Sequence, residues 1–247
     1  MKLTKCVKIR VILFVFLAAI VLEGDSAHAD FTFGEPVNFG PTINTPYVEG
    51  PTCISPDGLE LYIFSDRPGS LGGLDLWVMT RTTREDDWEL PVNLGSGVNS
   101  SGYECDACIS SDGLELYFDA YQRSGGHGGW DNWVSRRQTR NDSWGLAVNL
   151  GPPLNTSSGD NSPSTSADGL EFYFGSSRPG GQGSDDLWVA KRSTTNDSWG
   201  EPVNLGAIIN SSAYECGVKI SSDSLMLFFS GEIHSPYRSG GFGLSDI

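Results

Sequence analysis

Apolar and polar positions along the chain follow a pattern that returns four times. Its clearest instance is the decapeptide ISSDGLELYF at 109–118, and copies stand at 54–63, 165–174 and, with more changes, 220–229. The aspartates of the four copies are Asp57, Asp112, Asp168 and Asp223, so the copies lie 55, 56 and 55 residues apart. A fixed period of this length indicates one supersecondary unit copied in tandem.

Each copy predicts four β-strands. In the first unit the predicted strands are 49–55, 59–64, 75–78 and 91–94. The second is almost wholly apolar, as expected for a sheet covered on both faces. Asp57-Gly58 between the first two strands predicts a type I′ hairpin turn, whose two central residues need positive φ. No stretch shows helical periodicity, so the sequence predicts an all-β array of four-stranded antiparallel sheets.

The units predicted from the period are 34–88, 89–144, 145–199 and 200–247, and the last stops within its third strand. The segment 33–39 matches the strand that ends each later unit, which is how a ring of repeats is closed. Two interpretations stay open. We expect these units to be part of a longer array, and the alternative is a closed ring of four.

Residues 1–29 are predicted to be a signal peptide. Four basic residues precede the apolar stretch 11–22, and Ala27-His28-Ala29 offers a cleavage site. Twelve apolar residues are too few to span a bilayer. We therefore expect a domain of repeats at 30–247 that is exported to the periplasm or the extracellular space and is not inserted in a membrane.

The charge of the chain limits its partners. Sixteen basic residues stand against 31 acidic ones, a formal net charge of −15. Such a surface repels phosphate backbones, so nucleic acid is excluded as a partner. A protein or cell-envelope component with a basic patch, or a divalent cation such as calcium, is favoured.

An acidic residue stands eight positions before each hairpin aspartate. These four are Glu49, Glu104, Asp160 and Glu215. Because they precede the innermost strand, we predict that they ring a channel mouth and bind calcium or a basic peptide. The competing interpretation is that each is a brace hydrogen-bonded within its own blade. Trp130, predicted in a loop with His127 and Tyr121, is the candidate for an exposed aromatic contact.

Two further sets of residues repeat in register. Four arginines each precede an aspartate by eight residues, and we predict ion pairs within these Arg–Asp couples that brace the intervening loop. The couples are Arg67/Asp75, Arg123/Asp131, Arg178/Asp186 and Arg238/Asp246. Cys105 and Cys108 lie on a predicted strand, where three residues span roughly 10 Å, too far for a disulfide. We expect buried, reduced thiols at Cys53, Cys105, Cys108 and Cys216, with a Cys53–Cys108 bridge as the alternative.

The repeated phrases resemble a known family. Ser-x-Asp-Gly-Leu-Glu-Leu-Tyr-Phe, Arg-Pro-Gly-Gly, Asp-Leu-Trp-Val and Trp-Gly-x-Pro-Val-Asn-Leu-Gly look like the WD40-like β-propeller repeat of TolB-type proteins, over residues 31–247. The resemblance implies exported bacterial propellers, commonly of about six blades, that bind proteins or cell-envelope components. It carries no catalytic residues to this chain.

Two functions follow as hypotheses. The first is a non-enzymatic exported scaffold that needs no cofactor, although calcium is possible. The second is a secreted propeller hydrolase acting on glycans, like a sialidase or glycosidase. Only His127 and His234 remain beyond the signal segment, in different units, and no G-x-S-x-G elbow occurs. Non-repeating carboxylates gathered in one pocket would favour the hydrolase.

Overall fold

The computed structural model of the protein describes residues 35–232 and 245–246. The chain divides into two compact units, 1–38 and 39–247, and every strand of the described residues lies in the second. The predicted signal peptide lies outside the described residues. The predicted closing strand at 33–39 begins outside them, and its described part, 35–39, forms no strand.

Four antiparallel sheets follow one another along the chain, and we call them blades 1 to 4. Blade 1 contains β1 (Glu49–Ile54), β2 (Glu60–Ser65), β3 (Asp75–Thr80) and β4 (Val92–Asn93). Blade 2 contains β5 (Tyr103–Glu104), β6 (Cys108–Ile109), β7 (Glu115–Tyr121), β8 (Trp130–Arg136) and β9 (Val148–Asn149). Blade 3 contains β10 (Asp160–Thr165), β11 (Glu171–Ser176), β12 (Asp186–Lys191) and β13 (Val203–Asn204). Blade 4 contains β14 (Tyr214–Ile220), β15 (Leu227–Glu232) and β16 (Ser245–Asp246).

Strands are adjacent within each blade in the order of the chain. Blade 2 fits the same plan, because β5 and β6 are two halves of an interrupted first strand and both pair with β7. The prediction of an all-β fold built from four-stranded antiparallel sheets is confirmed. Within the described residues no helix is long and apolar enough to cross a membrane.

The turn between the first two strands differs from the predicted type I′ hairpin. Gly58 N donates to Ser55 O at 2.7 Å, so the central residues are Pro56 and Asp57, and of these turn residues only Gly58 has positive φ, at 76°. The Ser55 hydroxyl donates to Asp57 and accepts from the amide of Glu60 at 2.9 Å. These side-chain bonds fix the longer turn, which the Asp-Gly dipeptide alone does not reveal.

The core lies between successive blades, because both faces of the central strands are apolar. Phe118 packs toward blade 1 beside Tyr62, whereas Tyr117, the preceding residue, packs toward blade 3 beside Phe172. Alternate residues of a strand point to opposite faces, so one strand contributes to two inter-blade cores. This confirms the interpretation that an almost wholly apolar second strand is covered on both sides.

The first strands of the blades approach one another at the centre. β1 packs against β6, β6 against β10, and β10 against β14. Each carries an irregularity at the same place, with register shifts at Pro51/Cys53, Asn161/Ser164 and Cys216/Lys219 and the gap between β5 and β6 in blade 2. Bulges re-aim side chains, so this level of each innermost strand presents groups that a regular ladder would not.

Replacing Gly50 with Ala is expected to lower the free energy of unfolding by about 1–3 kcal/mol, because overpacking forces a well-packed neighbour to move. A β-carbon at residue 50 would fall inside the ring of Phe64, its cross-strand partner. Urea unfolding measures the change. The double variant Gly50→Ala/Phe64→Ala should cost less than the sum of its single changes, and strict additivity would contradict the account.

Candidate functional site

The four repeated acids lie where the linkers enter the blades, and each is held by its own linker. Glu49, Glu104, Asp160 and Glu215 accept the backbone N–H of a serine or threonine four residues earlier, at 2.7, 3.0, 2.6 and 3.1 Å. The hydroxyl of the same residue donates to the same carboxylate in every case. Three of the four acids are fully buried.

The repeated arginines pair with these acids and not with the aspartates eight residues after them. Arg67 contacts Glu49 at 2.8 Å, Arg123 contacts Glu104 at 3.2 Å, and Arg178 contacts Asp160 at 2.7 Å. The predicted Arg–Asp ion pairs are therefore wrong for these three blades, and Arg238 lies outside the described residues.

The aspartates are already occupied by their own loops. Asp75 accepts the amide of Leu71 at 2.7 Å, Asp131 that of His127 at 2.8 Å, and Asp186 that of Gln182 at 2.6 Å. Loop amides thus hold each aspartate in place, and the arginine turns to the neighbouring linker. There the guanidinium also lies over a core tryptophan, as Arg123 does over Trp133 at 4.9 Å.

Burial governs the ionisation of the brace in blade 2. It raises the pKa of Glu104 despite the hydrogen bonds from Ser100 and the charge of Arg123. It also lowers the pKa of Arg123 despite Glu104. Both shifts say that taking these charges out of water costs more than their attraction returns, as is usual for a buried ion pair.

The geometry favours the brace over the predicted channel-mouth site. Glu49, Glu104 and Asp160 each bind a linker N–H, a linker hydroxyl and an arginine, and Glu215 binds the N–H and hydroxyl of Ser211. Within the described residues no group of three or more His, Cys, Asp or Glu side chains is placed to hold a metal ion. Calcium among Glu49, Glu104, Asp160 and Glu215 stays a prediction.

A second set of polar residues lies at the bulges of the innermost strands. We call Asp106, Asp119, Ser162 and Lys219 the inner polar cluster. Ser162 joins the two acids, since its amide donates to Asp119 at 2.8 Å and its hydroxyl to Asp106 at 2.7 Å. Lys219 of blade 4 donates to the carbonyls of Ala107 and Pro163 at 3.1 and 3.4 Å. The cluster thus joins blades 2, 3 and 4.

Asp119 is the unusual member of the cluster. It is 2% exposed, and its Oδ1 has no hydrogen-bond partner among the described residues. Burial raises the pKa of Asp119 well above its usual range, and the charge of Asp106 raises it further, against Ser162 and Lys219. Ser162 adopts φ of 52°, a conformation that is rare for a residue with a side chain and is associated with functional sites.

Sequence reasoning missed Asp119 because it concentrated on positions that repeat. The residue seven positions after the hairpin aspartate is Phe64, Asp119, Gly175 or Ser230 in the four units. A charged side chain in a strand that is otherwise apolar is a deviation from the repeat. A residue that deviates from the repeat, and not the regular spacing, is therefore the sequence feature that identifies this cluster.

Trp130 lies in strand β8 and not in a loop, which corrects the prediction. It is partly buried, and its ring centre lies 5.2 Å from that of Tyr121, its cross-strand partner. Tyr121 in turn lies 6.3 Å from Tyr103, which is 46% exposed. The predicted lone aromatic contact is therefore one member of a three-ring cluster at the linker end of blade 2.

Cys53, Cys105 and Cys108 carry free thiols, and the sulfur of Cys216 lies 3.2 Å from the Ser230 hydroxyl. Burial raises the pKa of Cys53 to about 12, with a further contribution from Cys108. Burial also raises the pKa of Cys105, beside Asp119 and Asp106. Neutral thiols are poor nucleophiles, so these residues fit packing better than redox chemistry.

Alkylation with iodoacetamide at pH 8 is expected to label Cys53 very slowly in the native protein, because a thiol with a pKa of about 12 is ionised in only about one molecule in 10⁴. In denaturant Cys53, Cys105, Cys108 and Cys216 should label quickly. Peptide mass spectrometry measures each site. A Cys53–Cys108 disulfide in the native protein would contradict the free-thiol structure.

Comparison with known proteins supports the fold. No protein-family model matches the chain, and no curated protein matches it. Among solved structures, TolB from Acinetobacter baumannii matches with a TM-score of 0.52 at 15% identity, over 81% of this chain and 40% of that one. The α-L-arabinofuranosidase from Lactobacillus brevis matches with a TM-score of 0.51 at 10% identity, over 73% and 63%. A protein described as a TolB from Agrobacterium tumefaciens gives 0.48 at 17% identity, over 77% and 55%.

These likenesses concern the fold. Their identities of 10–17% are too low to carry an activity from any of these proteins to this chain. The chain spans between 40% and 63% of the length of the three structures. The predicted propeller architecture is shared with TolB, and the same architecture serves a glycosidase.

Proposed function

We propose that the protein is an exported, non-enzymatic β-propeller of the WD40-like repeat class that binds a protein or cell-envelope component. Export rests on the signal peptide predicted at 1–29, and the class rests on the four repeated motifs. The formal net charge of −15 favours a partner that carries a basic patch, because a negatively charged surface speeds the association of a positively charged partner.

The observation that carries the proposal is how the ionisable side chains are used. The three described arginine–acid pairs at the linkers are buried braces, so the repeated charges are committed to the fold. The non-repeating carboxylate with the most perturbed surroundings, Asp119, is 2% exposed. A general acid or base must come within hydrogen-bonding distance of its substrate. The partly exposed, non-repeating groups at the linker end of blade 2 are aromatic rings, which suit binding.

A second candidate is the glycan hydrolase, and one observation favours it. Asp106 and Asp119 both accept hydrogen bonds from Ser162, and burial with like charge raises the pKa of Asp119. Glycosidases use two carboxyl groups whose pKa values differ, one as acid and one as nucleophile or base. The inner polar cluster contains two neighbouring carboxyl groups, but Asp119, the one whose pKa is raised, is buried.

Two measurements on the full chain separate these functions. The first is turnover of a panel of 4-nitrophenyl glycosides by the protein and by Asp106→Asn. The second is co-sedimentation of the protein with isolated cell envelopes at low and high salt. We expect envelope binding that weakens with salt, with no turnover. Turnover that disappears in Asp106→Asn would overturn the proposal in favour of the hydrolase, and a protein that neither sediments nor turns over substrate would refute both.

A further inference from the structure

The three aromatic rings of blade 2 form a continuous surface at the linker end of the sheet. Tyr103, Tyr121 and Trp130 follow one another with ring centres 6.3 and 5.2 Å apart. Neither contact is a face-to-face stack, since the ring planes are inclined by 63° and 39°. Tyr103 is 46% exposed, and Tyr121 and Trp130 are partly exposed. We call these three residues the aromatic platform.

Backbone packing holds the platform in place. Tyr121 and Trp130 are cross-strand partners in β7 and β8, and Tyr103 pairs with Tyr121 in β5. A β-carbon at Gly73, in the loop of blade 1, would collide with the ring of Tyr103. The glycine therefore lets the neighbouring blade support the ring. A surface built on strands and backed by backbone is rigid before any partner arrives, which favours binding.

The combination of three rings occurs in blade 2 alone among the described residues, so the repeat does not require the combination. Trp130 corresponds to Leu74 in blade 1 and to Asp185 in blade 3. Tyr103 corresponds to Val48 and Gly159 and recurs as Tyr214 in blade 4, where the cross-strand partner is Glu232 and not a tyrosine. A residue that packing demands would recur in every blade. The inter-blade core explains Trp77, Trp133 and Trp188 in this way, but it does not explain the platform.

One additional residue accompanies the platform. Arg123 follows Asp112 by eleven residues, whereas Arg67 and Arg178 follow their hairpin aspartates by ten. The chain takes up the extra length at Gln122, whose φ is 54°. Its side-chain amide then donates to the Tyr121 hydroxyl at 3.2 Å. Left-handed backbone at a residue other than glycine costs free energy, and sites that bind ligands are where such strain concentrates.

Neutral polar groups accompany the rings. They are the amide of Gln122, which donates to the Tyr121 hydroxyl, and the hydroxyls of the two tyrosines. The exposed His127 lies three residues before Trp130 in the glycine-rich loop. Such a combination, apolar ring surface with a few neutral donors and acceptors, suits a ligand with an apolar face and a hydroxylated edge.

We propose that the aromatic platform binds a saccharide, a chain of β-linked pyranose rings whose C–H faces lie on Tyr103 and Trp130. The sugar hydroxyls exchange hydrogen bonds with Gln122, with the tyrosine hydroxyls and with His127. The inference deepens the proposed function and rests on it only for the source of the saccharide, the cell envelope. A cation held over the rings is the competing ligand, and binding of hexa-arginine tests for it.

The test is the binding of soluble chitohexaose and cellohexaose to the full chain, measured by isothermal titration calorimetry. We expect at least one of them to bind, with about tenfold weaker affinity for Trp130→Ala and for Tyr103→Ala, because each loses one aromatic contact. Trp130→Phe should recover part of the affinity. Trp88→Ala is the matched control, since Trp88 lies under Arg81 at the opposite end of blade 1 and should leave binding unchanged.

Thermal unfolding of each variant shows whether it remains folded. The inference is overturned if neither oligosaccharide binds, if Trp130→Ala binds as tightly as the parent, or if hexa-arginine binds the platform in their place. Its failure is distinguishable from failure of the proposed function. If Trp130→Ala still co-sediments with cell envelopes but binds oligosaccharide as the parent does, the proposed scaffold function is retained and the sugar site is refuted.

Discussion

Replacing Arg178 with Met is expected to lower the free energy of unfolding by about 3–5 kcal/mol, because it leaves a buried carboxylate without its countercharge. Arg178 donates to Asp160 at 2.7 Å, to the carbonyl of Leu154 at 2.6 Å and to Ser176 Oγ at 2.9 Å. One guanidinium therefore joins a linker to the first two strands of blade 3. For a chain of this size the melting temperature should fall by roughly 6–20 °C.

The matched control is Arg136→Met in blade 2. Arg136 pairs with Glu115 at 2.7 Å, but its side chain is 56% exposed, and such surface pairs contribute less than about 1 kcal/mol. Calorimetry and urea unfolding on both variants measure the difference. The double variant Arg178→Met/Asp160→Asn should recover part of the loss, since it removes the stranded charge.

This comparison also separates the two accounts of the repeated acids. If Arg178→Met were no more destabilising than Arg136→Met, Asp160 would have to be stabilised by something other than its brace, and the channel-mouth site would regain support.

The repeat period of the sequence predicts most of the fold. Every copy of the hairpin phrase falls at a turn between the first and second strands, and the third strands begin at Asp75 and Asp186 as the spacing predicts. The pattern succeeds because burial on both faces is imposed by the neighbouring blades. An apolar second strand has no other stable place in such an array.

The pairing of the arginines shows why spacing alone did not reveal the contacts. Arg67 has two acids in register with it, Glu49 before it and Asp75 after it. The deciding factor lies in the loop, where the amides of Leu71 and Gly72 occupy the carboxylate of Asp75. Backbone donors of that kind have no sequence signature, so the sequence could not choose between the two acids.

The sequence predicts the candidate sites less accurately than the fold, for a related reason. Repetition identifies the residues that every blade needs, and those residues turned out to serve the architecture. Trp130 breaks the repeat, which the sequence shows, but the sequence does not show that Tyr121 lies between Trp130 and Tyr103. That order depends on the pairing of β7 with β8 and of β5 with β7, which is a property of the folded sheet.

Asp119→Asn is expected to stabilise the protein increasingly as pH rises from about 4, the unfolded pKa of an aspartate. Burial and the charge of Asp106 raise the pKa of Asp119 well above its usual range, so the folded protein holds a proton that the unfolded chain has released. In that interval the native state binds more protons, and stability falls as pH rises until the folded pKa is passed. Asparagine resembles the protonated acid and has no such dependence.

Melting temperatures of the parent and of Asp119→Asn between about pH 3 and pH 8 measure this difference. Asp168→Asn is the control of opposite sign, because Ser166 lowers the pKa of Asp168 and its ionised form stabilises the fold above the unfolded pKa. The other titratable groups near Asp119 are Asp106, Lys219, Cys105 and Tyr214.

The two variants should therefore diverge with pH. Asp119→Asn gains on the parent as pH rises above about 4, and Asp168→Asn gains on it only as pH falls below about 4. Each unit by which a folded pKa departs from the unfolded one corresponds to about 1.4 kcal/mol of stability, so a buried acid has the larger effect. A uniform loss in Asp119→Asn, without a pH trend, would mean that the native carboxylate is ionised and held by a counter-ion. The inner polar cluster would then join blades 2, 3 and 4 through an ionised carboxylate and not through a protonated one.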